Sequence, residues 1–104
     1  KYLLSTGWVK AGLIEKRVGQ VIRGVFVHIP NQVFGKNTVA RDWLKNLPDL
    51  ICYHPDGRYI SFELKAKIGK KSKGQIAIAK YMQIQEERVF ENFVKSLEAW
   101  YFGL

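Results

Sequence analysis

One stretch of this chain leaves little freedom in how it can fold. Asp49-Leu50-Ile51-Cys52-Tyr53 and Tyr59-Ile60-Ser61-Phe62-Glu63-Leu64-Lys65 are rich in β-branched and aromatic residues, and His54-Pro55-Asp56-Gly57-Arg58 lies between them. A Pro-Asp-Gly turn between two such runs predicts an antiparallel hairpin. Along the second run, period-2 alternation assigns Ile60, Phe62, Leu64 and Ala66 to one face and Tyr59, Ser61, Glu63 and Lys65 to the other. The apolar set faces the core, so Glu63 and Lys65 project together from the opposite face.

The rest of the chain reads around that hairpin. Ala11, Ile14, Val18 and Ile22 recur at three or four residues and predict an amphipathic helix over 8–22, which Gly12 and Gly19 weaken. Val25 to Ile29 is a strand stopped by Pro30-Asn31. Residues 32–47 are a loop with a helical turn around Trp43-Leu44-Leu47. Ser72-Lys73-Gly74-Gln75 opens a helix running to about Glu86, with Ile76, Ala79 and Met82 to bury. A further strand over 88–93 and a short last helix capped by Ser96 complete the order: helix, three strands, helix, strand, helix. At 104 residues this is one α/β domain, 1–104.

Charge narrows the partner. The net charge is +8, and it is unevenly placed: residues 1–41 carry +6, 42–63 carry −2, 64–85 carry +6 and 86–104 carry −2. Lys67, Lys70, Lys71 and Lys73 belong to a run of six lysines without one acid, the pattern of a surface that contacts phosphates. A single cysteine, Cys52, excludes an internal disulfide framework, and with only His28 and His54 beside it a four-ligand zinc site cannot be assembled. No apolar run reaches the roughly 18 residues of a membrane span. The expectation is a soluble protein of a reducing, intracellular compartment with no membrane partner. Trp8, Trp43, Trp100 and Tyr81 read as core or interface residues, and neither histidine is assigned a catalytic role.

An acid at the start of one hairpin strand can meet an acid and a lysine on its partner at one end of the sheet. Taken singly, each is as well explained as a solvated surface residue. Together, two close carboxylates repel unless a divalent cation lies between them, and oxygen ligands favour magnesium, with manganese as a substitute. A neighbouring ammonium can orient a metal-bound water or neutralise charge developing on a phosphate. Asp49, Glu63 and Lys65 are thus candidates for metal-assisted phosphodiester hydrolysis.

Pro48-Asp49, thirteen residues, then Glu63-Leu64-Lys65, with a hairpin between, resembles the PD-(D/E)xK nuclease superfamily, and within it the small VRR-NUC and Holliday-junction-resolvase-like branch. The resemblance spans about residues 11–102 and implies a restriction-endonuclease-like fold, a mixed sheet flanked by helices in αβββαβ order. It implies that Asp49 and Glu63 bind the metal, that the Leu64 carbonyl completes its sphere and that Lys65 is the catalytic lysine. It adds Glu15, on the first helix, as a further acidic ligand, with a solvated or intrahelical glutamate as the competing reading. Gln75 has two readings as well, a residue at the DNA-binding site or the partner of Ser72 in a capping box. One departure is Asn46-Leu47, where VRR-NUC members usually carry a glycine before Pro-Asp. The function implied is structure-selective hydrolysis of duplex or branched DNA by a homodimer or higher homo-oligomer. The alternatives are a Holliday junction resolvase, a homing or restriction-type endonuclease, and a catalytically inactive basic DNA-binding module.

Overall fold

The structure, a computed structural model, describes residues 2–29, 45–64, 72–82 and 84–104. In chain order they form α1 (Tyr2–Ser5), β1 (Trp8–Lys10), a 3-10 helix (Ala11–Arg17), β2 (Gly24–His28), β3 (Leu50–Tyr53), β4 (Tyr59–Leu64), α2 (Lys73–Tyr81), β5 (Ile84–Glu87) and α3 (Phe90–Phe102). The strands make one five-stranded mixed sheet in the order β1-β2-β3-β4-β5. The two outer pairs, β1 with β2 and β4 with β5, are parallel, whereas β2-β3-β4 run antiparallel. The chain is therefore a small α/β protein. Among the described residues no helix is long and apolar enough to cross a membrane.

The hairpin forms as its turn dictates. Tyr53 pairs with Tyr59, and the His54 amide donates to the Arg58 carbonyl at 2.8 Å across the loop. Gly57 sits at φ +96°, a conformation only glycine takes without strain. Asp56 accepts from the Arg58 amide at 3.0 Å and from its guanidinium at 2.8 Å, and these two hydrogen bonds hold its carboxyl below the usual carboxylate range.

One face of the sheet carries the main core. Leu3, Trp8, Phe26, Leu50, Cys52, Ile60 and Phe62 pack there with Phe93 and Leu97 of α3. Spaced four apart, those two lie on one face of the helix, and Phe93 meets the Phe62 ring edge-on at 5.0 Å. Gly24 allows the sheet to close at β1, because a Cβ there would lie 2.4 Å from the Trp8 ring and 2.5 Å from the Tyr53 carbonyl oxygen. The chain ends are tied as well. Tyr2 Oη donates to Glu98 Oε1 at 2.6 Å, Arg23 pairs with Glu98 at 3.5 Å, and Tyr101 Oη donates to the Arg23 carbonyl at 2.6 Å.

Four expected elements are corrected. The helix predicted over 8–22 is a strand followed by a 3-10 helix. Trp8 and Val9 are buried by pairing with β2, and none of the seven residues of the 3-10 helix is buried. Tertiary pairing overrides the local periodicity there. The helix expected to reach Glu86 stops at Tyr81, the next strand is Ile84–Glu87 instead of 88–93, and α3 starts at Phe90, well before Ser96.

Cys52 is fully buried, and burial pushes its thiol up to about 12. The thiolate is the reactive form, so a thiol reagent at neutral pH should label the native protein orders of magnitude more slowly than the urea-unfolded chain. Equal labelling rates would show that the sheet opens readily at β3.

Candidate functional site

Register brings the predicted acids together. Leu50 pairs with Phe62, so one step further along the same antiparallel ladder Asp49 lies opposite Glu63. Residues so opposed share a face of the sheet, with Cβ atoms about 5 Å apart. Both acids are buried, Asp49 to 8% exposure and Glu63 to 2%. Asp49 is fixed at both ends: its carbonyl accepts from the Ile29 amide at 2.8 Å and its Oδ2 from the Leu64 amide at 2.8 Å. Burying carboxylates is costly. Holding two of them on one sheet end is what a cation site requires and what a plain core avoids.

The two readings of Gln75 prove to describe one side chain. The Ser72 hydroxyl accepts from the Gln75 amide at 3.2 Å and Gln75 Oε1 accepts from the Ser72 amide at 3.0 Å, a complete capping box. The same side chain donates through Nε2 to Glu63 Oε1 at 3.2 Å. The start of α2 is thereby locked onto the acid on β4.

The turn before Asp49 is locked to the same helix. Asn46 takes φ +70°, in the left-handed region that asparagine tolerates better than most residues. Its side chain lies against Gly74, where an added Cβ would approach it to 2.2 Å, and its Oδ1 accepts from the Ser72 hydroxyl at 3.4 Å. This contact predicts a reversal of sign. In a helix alanine ordinarily gains about 1 kcal/mol over glycine, yet Gly74→Ala alone should destabilise by about 1 to 3 kcal/mol through overpacking. In an Asn46→Gly background, which keeps the turn and removes the obstacle, the same Gly74→Ala should stabilise. Urea melts of the four proteins make the cycle; additive effects would mean that the two sites do not touch in solution.

The sequence reading missed Glu86. Parallel pairing sets it beside Glu63, and Arg88 donates to it at 2.6 Å. The misplaced helix end concealed this, although the acids of Gln85-Glu86-Glu87 were visible. Glu15 lies exposed on the 3-10 helix. Among the described residues no three His, Cys, Asp or Glu side chains gather as metal ligands. The carboxylates at this end of the sheet are those of Asp49 and Glu63, with Glu86, paired to Arg88, beside Glu63; oxygen donors of this kind suit a hard divalent cation.

Lys65, Lys67, Lys70 and Lys71 lie outside the described residues, as does Trp43. Lys73 is exposed at the first position of α2. Trp8 is core, Trp100 is half-buried beneath the Arg58 guanidinium at 5.1 Å, and Tyr81, 83% exposed, is outside the core. The His54 ring packs on Tyr101 at 4.3 Å, in keeping with a structural role. Compared with protein-family models, with curated proteins and with solved structures, the chain matches none.

Proposed function

We propose that this chain is a magnesium-dependent nuclease of the PD-(D/E)xK kind that hydrolyses DNA phosphodiester bonds. The observation that carries the reading is the pair of buried carboxylates, Asp49 and Glu63, set at one end of one sheet face by the β3-β4 register. The succession of three strands, a helix and a strand over β2-β3-β4-α2-β5 supports the reading, although a strand and a 3-10 helix stand where the αβββαβ order has its first helix.

In this reading Asp49, Glu63 and the Leu64 carbonyl hold the cation. When bound, it supplies a polarised water and charge neutralisation at the scissile phosphate. Gln75 holds the Glu63 carboxylate in place, and the Leu64 amide does the same for Asp49. Lys65, two residues after Glu63 in the sequence, orients the attacking water or offsets charge on the phosphate. Lys67, Lys70, Lys71 and Lys73 bind flanking phosphates, and Glu15 has no part in the pair. A homodimer would widen the grip of a 104-residue chain on DNA.

The test is incubation of the purified chain with linear, nicked, flap and four-way-junction DNA, with and without magnesium or manganese. Metal-dependent cleavage of at least one substrate is the expected result. Binding without cleavage in either metal would leave the inactive DNA-binding module as the function.

A further inference from the structure

The face that bears the acids continues into a second feature. Going along the hairpin away from Asp49 and Glu63, it carries Ile51 opposite Ser61 and then Tyr53 opposite Tyr59. A cavity of about 310 Å³ opens over these residues, lined by Ile51, Ser61 and the two tyrosines from the hairpin and by Ile78 and Met82 from α2 and its end. The tyrosine rings are 6.1 Å apart and tilted by 39°. They remain 43% and 53% exposed.

A cross-strand tyrosine pair stabilises a hairpin, which explains the contact between the rings and leaves the open cavity beside them unexplained. The surroundings favour an anionic occupant with a flat apolar body. Lys45, two residues before the lining residue Leu47, is exposed, and the chain carries a net charge of +8. At about 3.3 Å per strand residue, the tyrosines stand some 13 Å from the acids, a short run of nucleotides away.

Resting on the nuclease reading, we infer that this cavity receives an unstacked base of the strand whose phosphate lies at Asp49 and Glu63. One of its faces would stack on the exposed side of the Tyr53–Tyr59 pair, with its polar edge toward the Ser61 hydroxyl. A base inside an intact duplex cannot enter without leaving its stack. The preferred substrate is therefore DNA with unpaired nucleotides beside the cleaved bond, as in a flap, an overhang or a branch point.

The test measures binding of the full chain, with calcium replacing magnesium so that the DNA stays whole. The probes are a blunt duplex, the same duplex with a single-stranded overhang, and that overhang made abasic. The intact overhang should bind about tenfold more tightly than either of the others, equivalent to about 1.4 kcal/mol and within the range for one base stacked on an aromatic ring. A 2-aminopurine in the overhang should be quenched on binding. Tyr53→Leu with Tyr59→Leu should lose that tenfold on the overhang alone, while Tyr53→Phe with Tyr59→Phe should keep it. Should the leucine protein fail to fold by circular dichroism, the abasic comparison and the quenching on the wild type decide. Equal binding of intact and abasic overhangs, without quenching, would overturn the base site and leave the nuclease reading standing. Absence of binding to all three DNAs would overturn both.

Discussion

Glu63→Gln should leave the protein folded and lower magnesium-dependent cleavage by two orders of magnitude or more, the usual scale for removing a group that organises charge at the reacting centre. The substitution is nearly isosteric, and the amide oxygen can still accept from Gln75 Nε2, which now reaches Glu63 Oε1 at 3.2 Å. Removing a charge from a position only 2% exposed also lightens a burial cost, so stability without metal should hold or rise. Asp49→Asn should behave alike, since its side-chain oxygen can keep the hydrogen bond from the Leu64 amide. A second readout does not depend on cleavage. Magnesium at a hundred times its Kd should raise the wild type's unfolding free energy by about 2.7 kcal/mol, and in both variants that gain should shrink or vanish. Single-turnover assays alongside melts at graded magnesium give both numbers. Full cleavage by either variant would remove the pair from the site.

Phe62→Ala should cost about 3 to 5 kcal/mol, the range for truncating a buried phenylalanine. Phe62 is fully buried, and its ring is the one that α3 meets through Phe93. Against a total of about 5 to 15 kcal/mol for a domain, that loss takes most of the stability of a weak fold, and the melting temperature should fall by more than about 10 °C. Because Glu63 is the next residue on the same strand, the loss should reach the site as well. A urea midpoint unchanged from wild type would mean that α3 does not rest on this face.

The hairpin and its acids could be read in the sequence because the turn sets the register, and the register alone decides which side chains oppose each other. Once Pro55, Asp56 and Gly57 close the loop, Asp49 and Glu63 have one place to go. Where the reading failed, the decisive contacts were distant in sequence. Trp8-Val9-Lys10 is three residues long, too short for a strand pattern, and it becomes a strand only because β2 offers a partner and Gly24 leaves room for the Trp8 ring. Past Met82 no proline or glycine interrupts the chain before Gly103, so nothing local stops a helix at Tyr81, which concealed β5 and with it the place of Glu86 beside Glu63. Val89, the residue before α3, makes no side-chain cap, so no local signal marked where that helix begins. At Gln75 the local motif was legible, but its second contact depended on where β4 would lie.

The links among Tyr2, Arg23, Glu98 and Tyr101 also set the timing of folding in a cell. Leu3 and Trp8 share a core with Phe93 and Leu97, so the segment that holds Leu3 and Trp8 has no completed partner until α3 has left the ribosome. At 5 to 20 residues per second, some 95 residues take roughly 5 to 20 seconds to follow. Throughout that interval the apolar face of the sheet lacks the helix that covers it, and its strands are open to pairing with neighbouring nascent chains. Chains stalled before Phe93 should depend on chaperones or aggregate, and a slower ribosome should lower the yield of soluble protein.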